Sequence, residues 1–201
     1  LVPLYYSYSL YRWKGIAVTF ILIISSPILW YVNKVHTEWF TFCLTLSAVI
    51  TFSANRYFIS GLLLAVASTQ NISFALVAFI PFFIGVLNGY RKGYSLNDII
   101  MIVSITLVTF LHPIYYFFRY GVVSPQFLAG GANIEPDLLG AYIWLFDFDV
   151  GLFPNWLLGA FVFLLFIVIN KGKFKAGINY NKHYLIFLFL FLLVNLYAHS
   201  S

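Results

Sequence analysis

The residues best equipped for chemistry lie in stretches that are otherwise greasy. Asp147 and Asp149 fall inside LGAYIWLFDFDVGLFPNW, residues 139–156, among tryptophan, phenylalanine and leucine. Carboxylates rarely sit in such company unless something pairs with them or uses them. Three readings compete for this pair. An aspartate at a helix end or in a turn accepts hydrogen bonds from nearby backbone N–H groups. The D-x-D spacing also occurs where a divalent cation meets a phosphate, but no cofactor motif or nucleotide-phosphate loop accompanies it, so no cofactor and no metal site are expected. Two acids at a membrane surface can, third, bind substrate hydroxyls or take a proton from one.

Other polar groups punctuate the same apolar background. His36-Thr37-Glu38 opens one hydrophobic run, where an acid is favourable at a helix N-terminus and is also placed to touch a substrate. Arg119 closes another run. A guanidinium there suits a phosphate through two parallel hydrogen bonds and suits headgroup anchoring equally. Gln70-Asn71 joins two short runs, where amides satisfy free backbone groups, and His199 follows the last run. His112-Pro113 lies inside a run; proline removes a helix hydrogen bond and kinks the helix, and the histidine is expected to face the interior of a helix bundle. Asn71-Ile72-Ser73 has the letters of a glycosylation sequon but lies too close to an apolar run to serve as one. The candidates are Glu38, Asp147 and Asp149 for catalysis, and Arg119, His36, Gln70, Asn71 and His199 for substrate binding.

The elements that must position these groups follow from composition. Hydrophobic residues make up 62% of the 201-residue chain and charged residues 8%, against roughly a quarter charged in a soluble domain. Such a chain would expose apolar surface in water and is expected to be an integral membrane protein. The expected fold is all-α: a polytopic helical bundle of about seven membrane segments forming a single transmembrane domain over residues 1–201. The runs are 16–32, 38–54, 57–69, 72–87, 98–118, 156–169 and 184–197, the third of them short. A long loop over 119–155 is punctuated by Ser124-Pro125, Gly130-Gly131, Glu135-Pro136 and Gly151. Within it, Leu138, Leu139, Tyr142, Ile143, Trp144, Leu145 and Phe146 are expected to form a short interfacial helix that ends at Asp147. The single cysteine, Cys43, rules out an intrachain disulfide. Leucine rather than methionine at position 1 suggests a piece of a longer protein.

Charge sets the expected threading. If the chain crosses at every run, one side receives Arg12, Lys14, Arg56, Arg91, Lys92, Lys171, Lys173, Lys175 and Lys182, with Asp98 as its acid. The other side receives Glu38, Glu135, Asp137, Asp147 and Asp149, with Lys34 and Arg119 as its bases. Cytoplasmic loops gather lysine and arginine in this way. The N-terminus of the chain is therefore expected in the cytoplasm and the loop 119–155 outside. The net charge of +5 is met by anionic lipid. Dispersed over several loops, it makes no basic stripe for nucleic acid.

Several stretches resemble multispanning glycosyltransferases of the GT-C class. They are Glu38 leading an apolar span, then Ala54-Asn55-Arg56-Tyr57, then Ser60-Gly61-Leu62-Leu63-Leu64-Ala65-Val66-Ala67-Ser68-Thr69, and later Leu145-Phe146-Asp147-Phe148-Asp149-Val150-Gly151-Leu152-Phe153-Pro154. The resemblance implies transfer of a sugar from a polyprenyl-phosphate donor to a lipid, glycan or protein acceptor on the non-cytoplasmic face. It also implies that the principal catalytic acid lies upstream of Leu1. The chain departs from the family where a basic or Arg-Pro element often follows the short helix and Thr69-Gln70-Asn71 stands instead. Two other classes compete: a polytopic transporter or flippase, and a non-catalytic membrane subunit whose loop binds a partner. Ion-coupled transporters place acids at the bilayer midplane, whereas the acids here gather outside the runs.

Overall fold

The computed structural model describes residues 1–26, 28, 38–124, 138–147, 161 and 168. These residues form helices, with no strand among them: α1 (Val2–Ser25), α2 (Glu38–Ser53), α3 (Tyr57–Ser68), α4 (Ser73–Lys92), α5 (Leu96–Tyr120) and α6 (Leu138–Phe146). The all-helical expectation holds for them, and four of the expected runs are found within a few residues of α2, α3, α4 and α5. Two helices, α4 and α5, are long and apolar enough to cross a membrane. Seven such spans are not seen: α2 has 16 residues and α3 only 12, while the runs 156–169 and 184–197 fall almost wholly outside the described residues.

The first helix differs from the sequence reading. Instead of starting at Ile16, it begins at Val2 and is broken at Arg12, whose φ of 57° and ψ of −146° are not helical. Ser7 Oγ meets Thr19 Oγ1 across this break. In a straight helix those residues would stand about 18 Å apart, so the chain folds back on itself at Arg12. Gly15 permits the fold, because a Cβ there would collide with Ser7 O and Tyr11 Cβ. The tyrosine- and serine-rich arm before Arg12 packs through small and hydroxyl groups, which leaves no apolar periodicity to read.

From α2 onward the helices run up and down. Ser60 Oγ donates to Ala48 O at 2.8 Å, tying α3 to α2. Gly61 lies against Ala78 and Phe82 of α4 and Ile105 of α5, and Phe58 lies over Gly85. With short turns at 54–56, 69–72 and 93–95, these contacts set α2, α3, α4 and α5 alternately antiparallel. The short helix α3 is central, packing against α2, α4 and α5. Among the described residues, extensive packing between helices is confined to α1–α5.

Small and hydroxylic side chains are buried around a core of Phe52, Leu64, Val77 and Ile105, and many large apolar side chains are exposed. Ser47, Thr51, Ser60 and Ser68 are fully or almost fully buried, beside Ala48, Ala65, Ala67 and Ala78. Their hydroxyls find carbonyls within reach: Ser47 donates to Cys43 O, Thr51 to Ser47 O and Ser68 to Ala65 O. Meanwhile Leu107 is 66% exposed and Phe118 84%, with Phe83, Leu87, Val103, Leu111 and Ile114 also outward. A water-soluble monomer rarely exposes so much contiguous apolar surface. Close packing through Gly, Ala, Ser and Thr, with bulky side chains outward, is how helices associate in lipid.

Candidate functional site at the acidic end of the bundle

The alternation of helices sorts charge between two ends. At one end Arg56, Lys92 and Asp98 line a common groove, and the Tyr11 hydroxyl meets Ser53 Oγ at 2.7 Å, which brings the Arg12 fold to the same end. At the other end stand Glu38, the turn Thr69-Gln70-Asn71, His112 and Arg119. The Ala48–Ser60 register carries Glu38 to the level of Gln70, since each lies the same number of residues along its helix from that contact.

The turn after α3 is held by polar groups. A helix end leaves its last carbonyls without intrahelical partners. Here His112 of α5 donates from Nδ1 to Thr69 O at 2.6 Å; a carbonyl only accepts, so Nδ1 carries the hydrogen. The histidine is 8% exposed and faces the bundle, as the sequence suggested. Its Nε2 is buried without a hydrogen-bond partner among the described residues. Asn71 Oδ1 accepts from Ser73 N and Ser73 Oγ at 3.1 and 2.8 Å, starting α4, which is the backbone-satisfying role expected for this turn. Gln70 is exposed beside it. Helix α5 continues through Pro113 to Tyr120.

Beyond His112, α5 continues for eight residues to Tyr120. From His112 to Tyr120 is about 12 Å of helix, and its face carries a ladder of rings. His112 stacks on Tyr116 at 4.7 Å, and Tyr116 on Tyr120 at 5.6 Å. Among the described residues, the end of α3 and the continuing ring face of α5 make a step, the His112 notch. Sequence reasoning passed over Tyr116 and Tyr120, although their four-residue spacing from His112 was the signal. Arg119 belongs to the last turn of α5, where a cation complements the helix dipole. Gly121 then caps the helix in the left-handed region (φ 71°), its N–H donating to Phe117 O. Arg119 is exposed, with no hydrogen bond or ion pair among the described residues.

Of the remaining candidates, Asp147 is the one among the described residues. Asp147 ends α6, its N–H donating to Ile143 O at 3.0 Å, and is half-buried. The expected helix over 138–146 is present, but it contains no charged residue, and Leu139, Tyr142, Ile143 and Phe146 are all exposed. Asp149, His36 and His199 lie outside the described residues. Among the described residues, no three histidine, cysteine or acidic side chains gather as a metal site would require.

No family model matches the chain, and neither a curated protein nor a solved structure does.

Proposed function

We propose that this chain is the membrane-embedded part of a multi-pass glycosyltransferase. It moves a sugar from a polyprenyl-phosphate donor to a lipid, glycan or protein acceptor on the non-cytoplasmic face. The membrane reading is supported by the many exposed large apolar side chains and by the two long apolar helices. The transferase reading is supported by the resemblance and by one observation above others: the short helix α3 ends in a polar turn beside buried His112, level with Glu38, at the ring face of α5.

In this reading a base takes the proton of an acceptor hydroxyl as its oxygen attacks the anomeric carbon. The bond from that carbon to the phosphate oxygen breaks, and its electron pair leaves with the lipid phosphate. Arg119, on the projecting end of α5, meets the phosphate through paired hydrogen bonds. Glu38, Gln70 and Asn71 contact sugar hydroxyls, while Tyr116 and Tyr120 offer ring faces to the sugar. Asp147, Asp149, His36 and His199 are further candidates for contact with the sugar or its acceptor. A polytopic flippase or a non-catalytic subunit is the competing reading. Against ion-coupled transport, His112 is the only buried ionisable side chain among the described residues.

The deciding assay uses purified full-length protein and follows sugar release from a polyprenyl-phosphate donor, beside substrate uptake into vesicles. Transfer should occur, and Arg119→Ala and Asp147→Ala should each lower it at least about tenfold, the loss expected of a removed charge-assisted contact. Unchanged transfer in both variants at normal expression would remove these roles, and uptake without transfer would remove the enzyme reading.

A further inference from the structure

The opposite, basic end holds a second site. An open groove of about 810 Å³ lies between the start of α3, the end of α4 and the start of α5. Arg56 and Lys92 face it from different helices, and Asn88 and Asn97 add amide donors. Among the described residues neither cation is paired with a carboxylate. The one acid in the wall, Asp98, is engaged locally: its Oδ2 accepts from Ser95 N at 2.9 Å and from Ser95 Oγ at 2.7 Å, closing the capping box of α5. The polar mouth is thus net cationic and rich in donors. Its inner wall is apolar, made by Phe58, Ile59 and Met101.

We propose that this groove binds the phosphate of an anionic membrane phospholipid. Arg56 grips the phosphate oxygens through its fork of donors, and Lys92 adds a point charge. The choice of a lipid over a soluble phosphate rests on the apolar lining of the groove, Phe58, Ile59 and Met101. It rests also on the position of the groove at the ends of α4 and α5, the helices long and apolar enough to cross a membrane. A general basic loop would lack this pairing of two cations from separate helices with an apolar wall. The inference rests on the membrane reading of the chain but not on sugar transfer, since the groove is at the other end of the bundle from the His112 notch.

The test reconstitutes the full-length protein in nanodiscs of phosphatidylcholine with or without 20 mol% phosphatidylglycerol, about one lipid in five, and measures thermal unfolding and lipid retained on mass spectrometry. Phosphatidylglycerol should be retained and should raise the unfolding temperature. Arg56→Gln with Lys92→Gln should weaken its apparent affinity about thirtyfold, at roughly fivefold for each cation near a membrane surface. Arg91→Gln, a neighbouring charge outside the groove lining, should weaken it far less. No preference for phosphatidylglycerol, or an equal effect of Arg91→Gln, overturns the proposal. Equal protection by inorganic phosphate in phosphatidylcholine discs overturns the assignment to a lipid. Carbonate extraction of the protein from native membranes, run in parallel, reports separately on whether the chain is membrane-embedded, and sugar transfer remains an independent readout.

Discussion

Replacing His112 tests whether α5 really caps α3. The contact has two separable parts. The Nδ1–H bond to Thr69 O, 2.6 Å long, satisfies a carbonyl that α3 cannot satisfy itself, and leaving such a group buried and unpaired costs about 1–3 kcal/mol. The stack on Tyr116, centroids 4.7 Å apart at 29°, is worth about 0.5–1.5 kcal/mol. His112→Phe keeps a ring on Tyr116 and loses the bond, so it should cost about 2 kcal/mol. His112→Ala loses both and leaves space behind, for about 3–4 kcal/mol. His112→Asn places an amide N–H near the position of Nδ1 and should recover part of the bond, so its cost should fall below that of His112→Ala. The measurement is reversible unfolding of the full-length protein by SDS in mixed micelles, with Tyr116→Leu completing a double-mutant cycle against His112→Ala. If His112→Phe unfolds at the wild-type midpoint, the histidine does not hold the end of α3, and the notch built on it fails.

Two further predictions concern packing and backbone. A Cβ on Gly61 would lie 3.2 Å from Ile105 Cδ1, 3.6 Å from Phe82 N and 3.7 Å from Ala78 O, so Gly61→Ala should stay within about 1 kcal/mol of wild type, whereas Gly61→Leu must force α3 from α4 and should cost about 1–3 kcal/mol in the same SDS titration. Arg12 holds a φ and ψ that favour glycine; Arg12→Gly should therefore raise the midpoint relative to Arg12→Ala by the equivalent of about 1 kcal/mol, and equal midpoints would show that the fold at residue 12 is not strained.

The helices between Glu38 and Tyr120 were legible because each is an apolar run, with polar breaks at Asn55-Arg56 before α3 and Gln70-Asn71 before α4; the Ser95–Asp98 capping box that starts α5 two residues before the expected run was not read. The arm from Val2 to Tyr11 was not, because Pro3 and Ser7 bury small or hydroxylic surface that hydrophobic periodicity does not register. Of the site, the individual residues were legible and their levels were not. Nothing in the sequence says that Glu38 stands opposite Gln70; that follows from the Ala48–Ser60 contact. The same holds for the basic groove, whose Arg56 and Lys92 are far apart in sequence and meet only because α3 and α4 are antiparallel. Charge counting had placed both on one side without bringing them together.

The short length of α3 accounts for the position of the notch. Its 12 residues span about 18 Å, against a hydrocarbon core of about 30 Å. In a bilayer the shortfall of about 12 Å must appear at one end or be shared between both. At the basic end α3 starts level with Met101, about 7.5 Å into α5. The deficit is therefore shared between the ends, and its larger part lies at the other end, where α5 continues about 12 Å from His112 to Tyr120. A helix that stops early within the membrane leaves carbonyls that lipid cannot satisfy, which gives the buried His112 its reason to be there. Beyond the early stop α5 carries the ladder of His112, Tyr116 and Tyr120. Lengthening α3 by one turn, about 5.4 Å, would cover roughly half of that overhang. Such an insertion should abolish any activity of the notch while leaving phospholipid retention at the basic groove intact, and a loss of both together would mean that the two ends are not independent.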